Sequence, residues 1–192
     1  RWGLDRMSRF HQFQQLDAQG VASKSMLFSI ATKWFEKTGG NVSSNEKETE
    51  YLLPFLQVHA VRKSEHPYIY CGTRSIAAEV FGAEFAKSAI GKPGVPDPEF
   101  EAVMSEAYKD VLRSWSPVCQ SVVSSIKLNG QLTPVSYLRY VFPVQFGCTD
   151  AVAVLCQFSD VLFGPCRTDV FDSSRPANLL EAATGSRASI QD

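Results

Sequence analysis

The chain has little of what marks the common function classes. Histidine is scarce, with only His11, His59 and His66 among 192 residues. Lysine and arginine total 19 against 20 aspartates and glutamates, a net charge of −1. A protein that binds nucleic acid carries a basic excess or a Lys/Arg stripe, so no nucleic-acid partner is expected. No apolar run approaches the roughly 20 residues of a membrane span, and no membrane partner is expected either. The opening stretch RWGLDRMSRF has charges but lacks the apolar segment of a secretory signal. It begins with Arg rather than Met, which reads as a trimmed chain or a fragment. The five cysteines, Cys71, Cys119, Cys148, Cys156 and Cys166, are odd in number and form no C-x-x-C pair. They read as reduced, mostly buried thiols of a cytoplasmic protein. Cysteine and histidine nowhere converge at zinc-ligand spacing, so no metal site is expected. Neither G-x-S-x-G, G-x-x-x-x-G-K-S/T nor G-x-G-x-x-G occurs, which leaves no motif for nucleophilic catalysis or phosphate binding.

What is present is the patterning of a globular α+β chain, 44% hydrophobic and 20% charged. Phe10, Phe13 and Leu16 lie at helical spacing and predict a short docked helix ended by Gly20. Ser23 is a candidate cap for the next helix. Over 25–37, Met26, Leu27, Ile30, Ala31, Trp34 and Phe35 share one helical face, and Gly39-Gly40 stops it. Residues 40–50 read as a polar loop. Pro54 breaks any long helix in YLLPFLQVHAV, and a strand from Phe55 to Val61 pairs back on 68–71 as a hairpin. An apolar helical turn with Ile76, Ala77, Val80 and Phe81 follows and stops at Gly82. A further short helix covers 83–89.

The clearest element begins at Asp97-Pro98, an N-cap followed by proline at the first helical position. Phe100, Val103, Met104, Ala107, Tyr108, Val111, Leu112 and Trp115 then keep helical spacing throughout, predicting one long helix. Three strand-like runs follow, 118–128, 135–144 and 151–158. Asn129-Gly130 marks a turn, with a loop up to Pro134 longer than a tight hairpin. A last helix is predicted between Ser173 and Gly185. The expected organisation is an N-terminal helical extension over 1–50, a core domain over 51–162 and a tail over 163–192. Two strands, a helical segment and three strands suit one five-stranded antiparallel sheet with helices packed over one face.

Three stretches give the chain a specific resemblance. YIYCGTRSIAAEVFG is similar to the second strand and first helix of the PAS domain family. PEFEAVMSEAYKDVLRSWSP is similar to its long helix, and VSYLRYVFPVQFG followed by AVAVLCQFSDV to its last two strands. The resemblance covers about residues 52–162, and is nearest to stand-alone bacterial PAS-like proteins with an N-terminal helical extension. It implies a sensory or signal-transduction module with no catalysis of its own. Such a module holds a small molecule between sheet and helices, dimerises through its flanking helix and acts on a downstream signalling protein. The flavin-photoadduct cysteine motif G-x-N-C-R-F-L-Q is absent, and the ligand is left unnamed.

A pocket between the long helix and the sheet would be lined by Phe81, Phe100, Met104, Tyr108, Tyr137 and Cys156, residues that would equally suit plain core packing. Arg139 stands out in the apolar strand YLRYVF. On the covered side of the sheet it would have to be paired, by an internal carboxylate or an acidic ligand; on the other side it could face outward or lie under the N-terminal helix. Arg74, at the start of a short helix, reads as solvated. His59 is the sole candidate for haem ligation. The alternative architecture is a small α+β cone of the ketosteroid-isomerase type, with Asp110 and Asp150 as acid–base residues. The 25–37 helix has a wide apolar stripe, which either caps the sheet or forms a homodimer interface.

Overall fold

A computed structural model describes residues 10–42, 46–63, 65–128 and 130–159. The helix expected near 173–185, and Cys166, lie outside the described residues. Strand β1 (His11–Leu16) is followed by helices α1 (Ala18–Ala22), α2 (Met26–Thr38) and α3 (Lys47–Leu52). A single 3-10 turn at Leu53–Phe55 leads into the hairpin β2 (Gln57–Ala60) and β3 (Tyr68–Cys71). Four helical pieces come next: α4 (Ile76–Phe81), α5 (Ala83–Ser88), α6 (Pro98–Met104) and α7 (Glu106–Ser114). Strands β4 (Val118–Leu128), β5 (Gln131–Phe146) and β6 (Thr149–Phe158) complete the fold.

The sheet has six strands, all antiparallel, in the order β1-β4-β5-β6-β2-β3. It differs from the expected five-stranded sheet by β1, which takes the place of the helix expected at the N-terminus. The spacing of Phe10, Phe13 and Leu16 fits a helix, but the segment pairs with β4 from His11 opposite Ser124 to Leu16 opposite Cys119, and Phe13 and Leu16 pack on opposite faces of the sheet. Pairing with an open strand edge satisfies a whole row of backbone groups, which a six-residue helix in water could not offset.

Helices also cover both faces of the sheet, not one. On the first face α2 and α3 bury Phe28, Ala31, Trp34 and Leu52 against Tyr140, Phe142, Ala151, Ala153 and Leu155. Small alanines on β6 make room for the aromatic rings of α2 and β5, where Trp34 meets Phe142 edge-on with ring centres 5.9 Å apart. The Trp34 indole donates to Thr49 Oγ1 at 2.8 Å, so its one polar atom is satisfied. Helix α2 is capped by Ser25, whose hydroxyl accepts from the Phe28 amide, and not by Ser23. Residues 47–50, expected within a polar loop, form α3 together with Tyr51 and Leu52, because Thr49 and Leu52 are buried beneath α2.

The second face carries α4 to α7. Here the expected long helix is two helices. Ser105 leaves the helical ladder with ψ near −5°, its hydroxyl donates to the Ala102 carbonyl, and the Tyr108 amide bonds to the Ser105 carbonyl instead of the Met104 carbonyl one residue further back. The apolar stripe still holds across the break, since Phe100, Met104, Tyr108 and Val111 are all buried. Trp115 ends α7 in a left-handed conformation (φ +48°) and its indole donates to the Gly39 carbonyl, tying the end of α7 to the end of α2.

Two prolines lie inside β5 rather than at its ends. Pro134 is opposite Ser125, and β6 stops at Phe158 opposite Tyr137, so the missing amide of Pro134 faces a side with no strand among the described residues. The hairpin can therefore close tightly, with Leu128 paired to Gln131, in place of the expected longer loop. Pro143 lies beyond the start of β4, which begins opposite Val141.

Candidate functional site

Helices α4, α6 and α7 line a partly open cavity against the second face of the sheet. Counted as space open to water centres, it holds about 50 Å³. Six of the seven residues singled out from sequence line it: Phe81, Phe100, Met104, Tyr108, Tyr137 and Cys156. Val80, Val95, Ile126, Val135 and Phe158 add to the apolar wall. His59, Gln57, Tyr68 and Glu101, which the sequence did not single out as lining residues, supply the polar groups.

Local structure explains how each wall is held. Gly72 ends β3 where a side chain would collide with the carbonyls of Leu53 and Pro54, and its amide donates to Leu56. This close approach turns the chain into α4, whose first turn is capped by the Ser75 hydroxyl. Asp97 does two jobs on the opposite wall. One oxygen caps α6 at the Phe100 amide and the other accepts from the Lys127 amide at 2.8 Å, which pins α6 to β4. A second groove, open to the surface, shares Val80 and Phe81 with the cavity and runs past Phe85, Pro98 and Leu128. Those two half-buried side chains thus form the partition between cavity and groove.

Two titratable groups in the lining are perturbed in opposite senses. His59 is fully buried and burial lowers its pKa to about 4, so the ring is neutral. Its Nδ1 lies 3.0 Å from the His66 carbonyl, which fixes the proton on that nitrogen and leaves Nε2 as an acceptor. The ring sits against Tyr68 and Tyr108, with centres 4.2 and 5.3 Å away. Glu101 is pushed up to about 7, chiefly by burial, against the opposing pull of the Val95 amide and of Arg139. One of its oxygens accepts from Val95 and the other, Oε1, is buried with no partner. The Glu101 side chain occupies the space that a Cβ on Gly94 would fill.

Arg139 does not line the cavity. It lies on the helix-covered face of β5, only 1% exposed, immediately behind Met104. Its Nε donates to Gln120 Oε1 and its Nη1 to the Met104 carbonyl, both at 2.7 Å, and its guanidinium lies over the Phe13 ring at 5.1 Å. Neutral acceptors, not a carboxylate in direct contact, hold this buried cation. The α6–α7 break is what releases the Met104 carbonyl to it. Met104 Sδ also accepts from the Tyr137 hydroxyl at 3.1 Å. No pattern in the sequence announces this arrangement, because it joins β1, α6, β4 and β5.

The remaining candidates lie elsewhere. Arg74 is exposed and stacks on Phe55 at 4.5 Å. Asp110 pairs with Arg113 on the exposed side of α7, and Asp150 is exposed in the β5–β6 hairpin. A cavity of this size is far smaller than a haem, so His59 has no room to serve as its axial ligand here. Among the described residues no group of three His, Cys, Asp or Glu side chains is placed to hold a metal ion. Cys71, Cys119, Cys148 and Cys156 are free thiols, and burial raises Cys156 to about 12. Among the described residues no helix is long and apolar enough to cross a membrane.

No family model, curated protein or solved structure matches the chain.

Proposed function

We propose that the chain is a PAS-like sensory or signal-transduction module that binds a small molecule in the cavity between its sheet and α4–α7, or a protein partner, and performs no catalysis of its own. The observation that carries this reading is the cavity itself. It is apolar and aromatic over most of its wall, with a few polar groups, the usual build of a small-molecule site. Supporting it, a helical segment separates a strand pair (β2, β3) from a strand triplet (β4, β5, β6), and β2 joins the triplet through β6.

Native mass spectrometry of freshly purified protein, with its absorbance spectrum, tests this. A reproducible extra mass that is lost on denaturation, and lost in the cavity-filling variant Val135→Phe, is the expected result. A bare mass in the wild-type protein, with no small molecule from a broad fragment set raising its Tm, would overturn the ligand reading. The same proposal includes a homodimer through the N-terminal helix. The inner face of α2 is buried on the sheet, so the contact would use its outer side, where Met26 is 70% exposed. An unchanged sedimentation coefficient in Met26→Glu would remove that part.

One observation favours the alternative of a small-molecule-transforming α+β cone. Glu101, with a pKa near 7 in an aromatic cavity, has the properties of a general acid or base. Turnover of any ligand found by mass spectrometry, abolished in Glu101→Gln, would decide for it.

A further inference from the structure

The two edges of the sheet are finished differently. At one end β3 is short, and residues 90–93 lie along the outer side of its start. The Tyr68 amide donates to the Lys92 carbonyl and the Gly91 amide to the Tyr68 carbonyl, with bridges at Ile90 and Pro93. At the other end β1 pairs with β4 on one side, and among the described residues no strand lies on its other side. Proteins blunt an open edge with lysine, proline, a bulge or a covering segment. HQFQQL contains no Lys, Arg, Asp, Glu or Pro, and its register with β4 runs without a shift. The Ser125 amide donates to the Phe10 carbonyl, so Phe10 and every second residue after it turn their backbone groups toward β4. The amides and carbonyls of His11, Phe13 and Gln15 therefore point outward, away from the sheet.

Antiparallel pairing with the same strand of a second copy matches these groups. With Phe13 on the two-fold axis, His11 lies opposite Gln15 of the second copy and Phe13 opposite Phe13. All the outward residues then exchange both of their backbone hydrogen bonds. The side chains match in the same register. Phe10, 41% exposed just before β1, lies opposite Leu16 of the second copy, which packs at the margin of the α2–α3 core. Exposed Gln12 lies opposite exposed Gln14. We propose that β1 is a homodimer interface, joining two copies edge to edge in one continuous antiparallel sheet. The two-fold axis closes the assembly, and residues 90–93 keep the far edge from extending it. This contact is separate from one through the outer side of α2, and it needs no occupant in the cavity.

Sedimentation velocity of the full chain over a concentration series tests this. The wild-type chain is expected to run as a dimer. Gln12→Lys combined with Gln14→Lys sets like charges opposite one another across the axis, at exposed positions, and should weaken the dimer at least about tenfold. Gln12→Lys combined with Gln14→Glu sets opposite charges there and should keep it. A wild-type monomer at every concentration would overturn the proposal, and so would equal weakening in the two variants. A dimer that Met26→Glu dissociates and the lysine pair leaves intact would overturn it in favour of the α2 contact. Should the lysine pair unfold the chain, Gln15→Pro replaces it. That change removes an outward amide that β4 does not use, and a dimer as tight as wild type would overturn the proposal. None of these outcomes alters the result expected for the cavity in native mass spectrometry.

Discussion

The two faces of the sheet solve the same burial problem differently. On the α2–α3 face, large rings meet small residues, Trp34 and Phe142 against Ala31, Ala151 and Ala153, and the buried indole N–H has its partner. On the α4–α7 face, helices of six to nine residues cover strands that carry His59, Gln57 and Arg139 inward, and a buried carboxylate oxygen lacks a partner. Polar groups in a dry interior are costly unless matched, and a cavity beside them removes packing contacts as well. The first face is therefore packed ring against small residue, and the second combines inward polar side chains with a cavity.

This comparison can be broken by mutation. Trp34→Ala should have the largest effect, a loss of about 3–5 kcal/mol in urea unfolding, because it empties the tightest part of the first face. A loss under about 1 kcal/mol would mean that α2 contributes little and would reverse the assignment of the two faces. Arg139→Ala should come next. It leaves the Gln120 oxygen and the Met104 carbonyl without their donor, at about 1–3 kcal/mol for each buried group that water cannot reach. Amide exchange should then quicken in α6 and α7 before it does in α2. If α2 loses protection first, the buried arginine is not what anchors the second face.

The perturbed pair gives a finer test through pH. Glu101 has its folded pKa raised to about 7 from 4.5, so its stabilising effect is complete below 4.5 and is lost as pH rises through 7. His59 has its folded pKa lowered to about 4 from 6.5, so its effect is complete above 6.5 and is lost as pH falls through 4. Between pH 4.5 and 6.5 the two slopes oppose one another. Glu101→Gln should remove the loss on the alkaline side and leave stability rising with pH up to about 6.5, with slopes on the order of 1.4 kcal/mol per pH unit at most. An unchanged pH profile would mean that Glu101 is solvated and the second face is wetter than described. The smallest effect is expected from Met26→Glu, at the exposed start of α2, which should change the unfolding free energy by less than about 0.5 kcal/mol.

Much of this division is visible in the sequence, where local chemistry decides it. Asp97-Pro98 caps α6 as its residue types require, Gly39 ends α2 in a left-handed turn, and Gly82 ends α4. The helical stripe from Phe100 to Val111 names three residues of the cavity wall, Phe100, Met104 and Tyr108, because periodicity says which side of a helix is buried. It could not show the break at Ser105, since Ser105 is an ordinary helical residue and the break is sustained by Arg139 from a strand over thirty residues away. HQFQQL read as a helix for a related reason. Phe10, Phe13 and Leu16 keep only the helical period, and it is the open edge of β4, with core on one side for Phe13 and on the other for Leu16, that selects the strand. Glu101 lies in the first turn of α6, where a carboxylate complements the helix dipole whether it is exposed or buried. Its burial depends on Gly94 and Val95, which the loop folds back over it.

By itself, then, the sequence determined where most helices and strands begin and end, which helical faces are apolar, and that the strands fall into a pair and a triplet. These follow from φ/ψ limits, capping and periodicity, all of which act within a few residues. The tertiary structure alone decided that β1 joins the sheet, that α2 covers the face opposite α4–α7, that Arg139 lies inward among neutral acceptors, and that Glu101 and His59 share one cavity. Each of these depends on contacts between residues far apart in the chain, where the cost of burying a polar group is set by whatever the fold brings beside it.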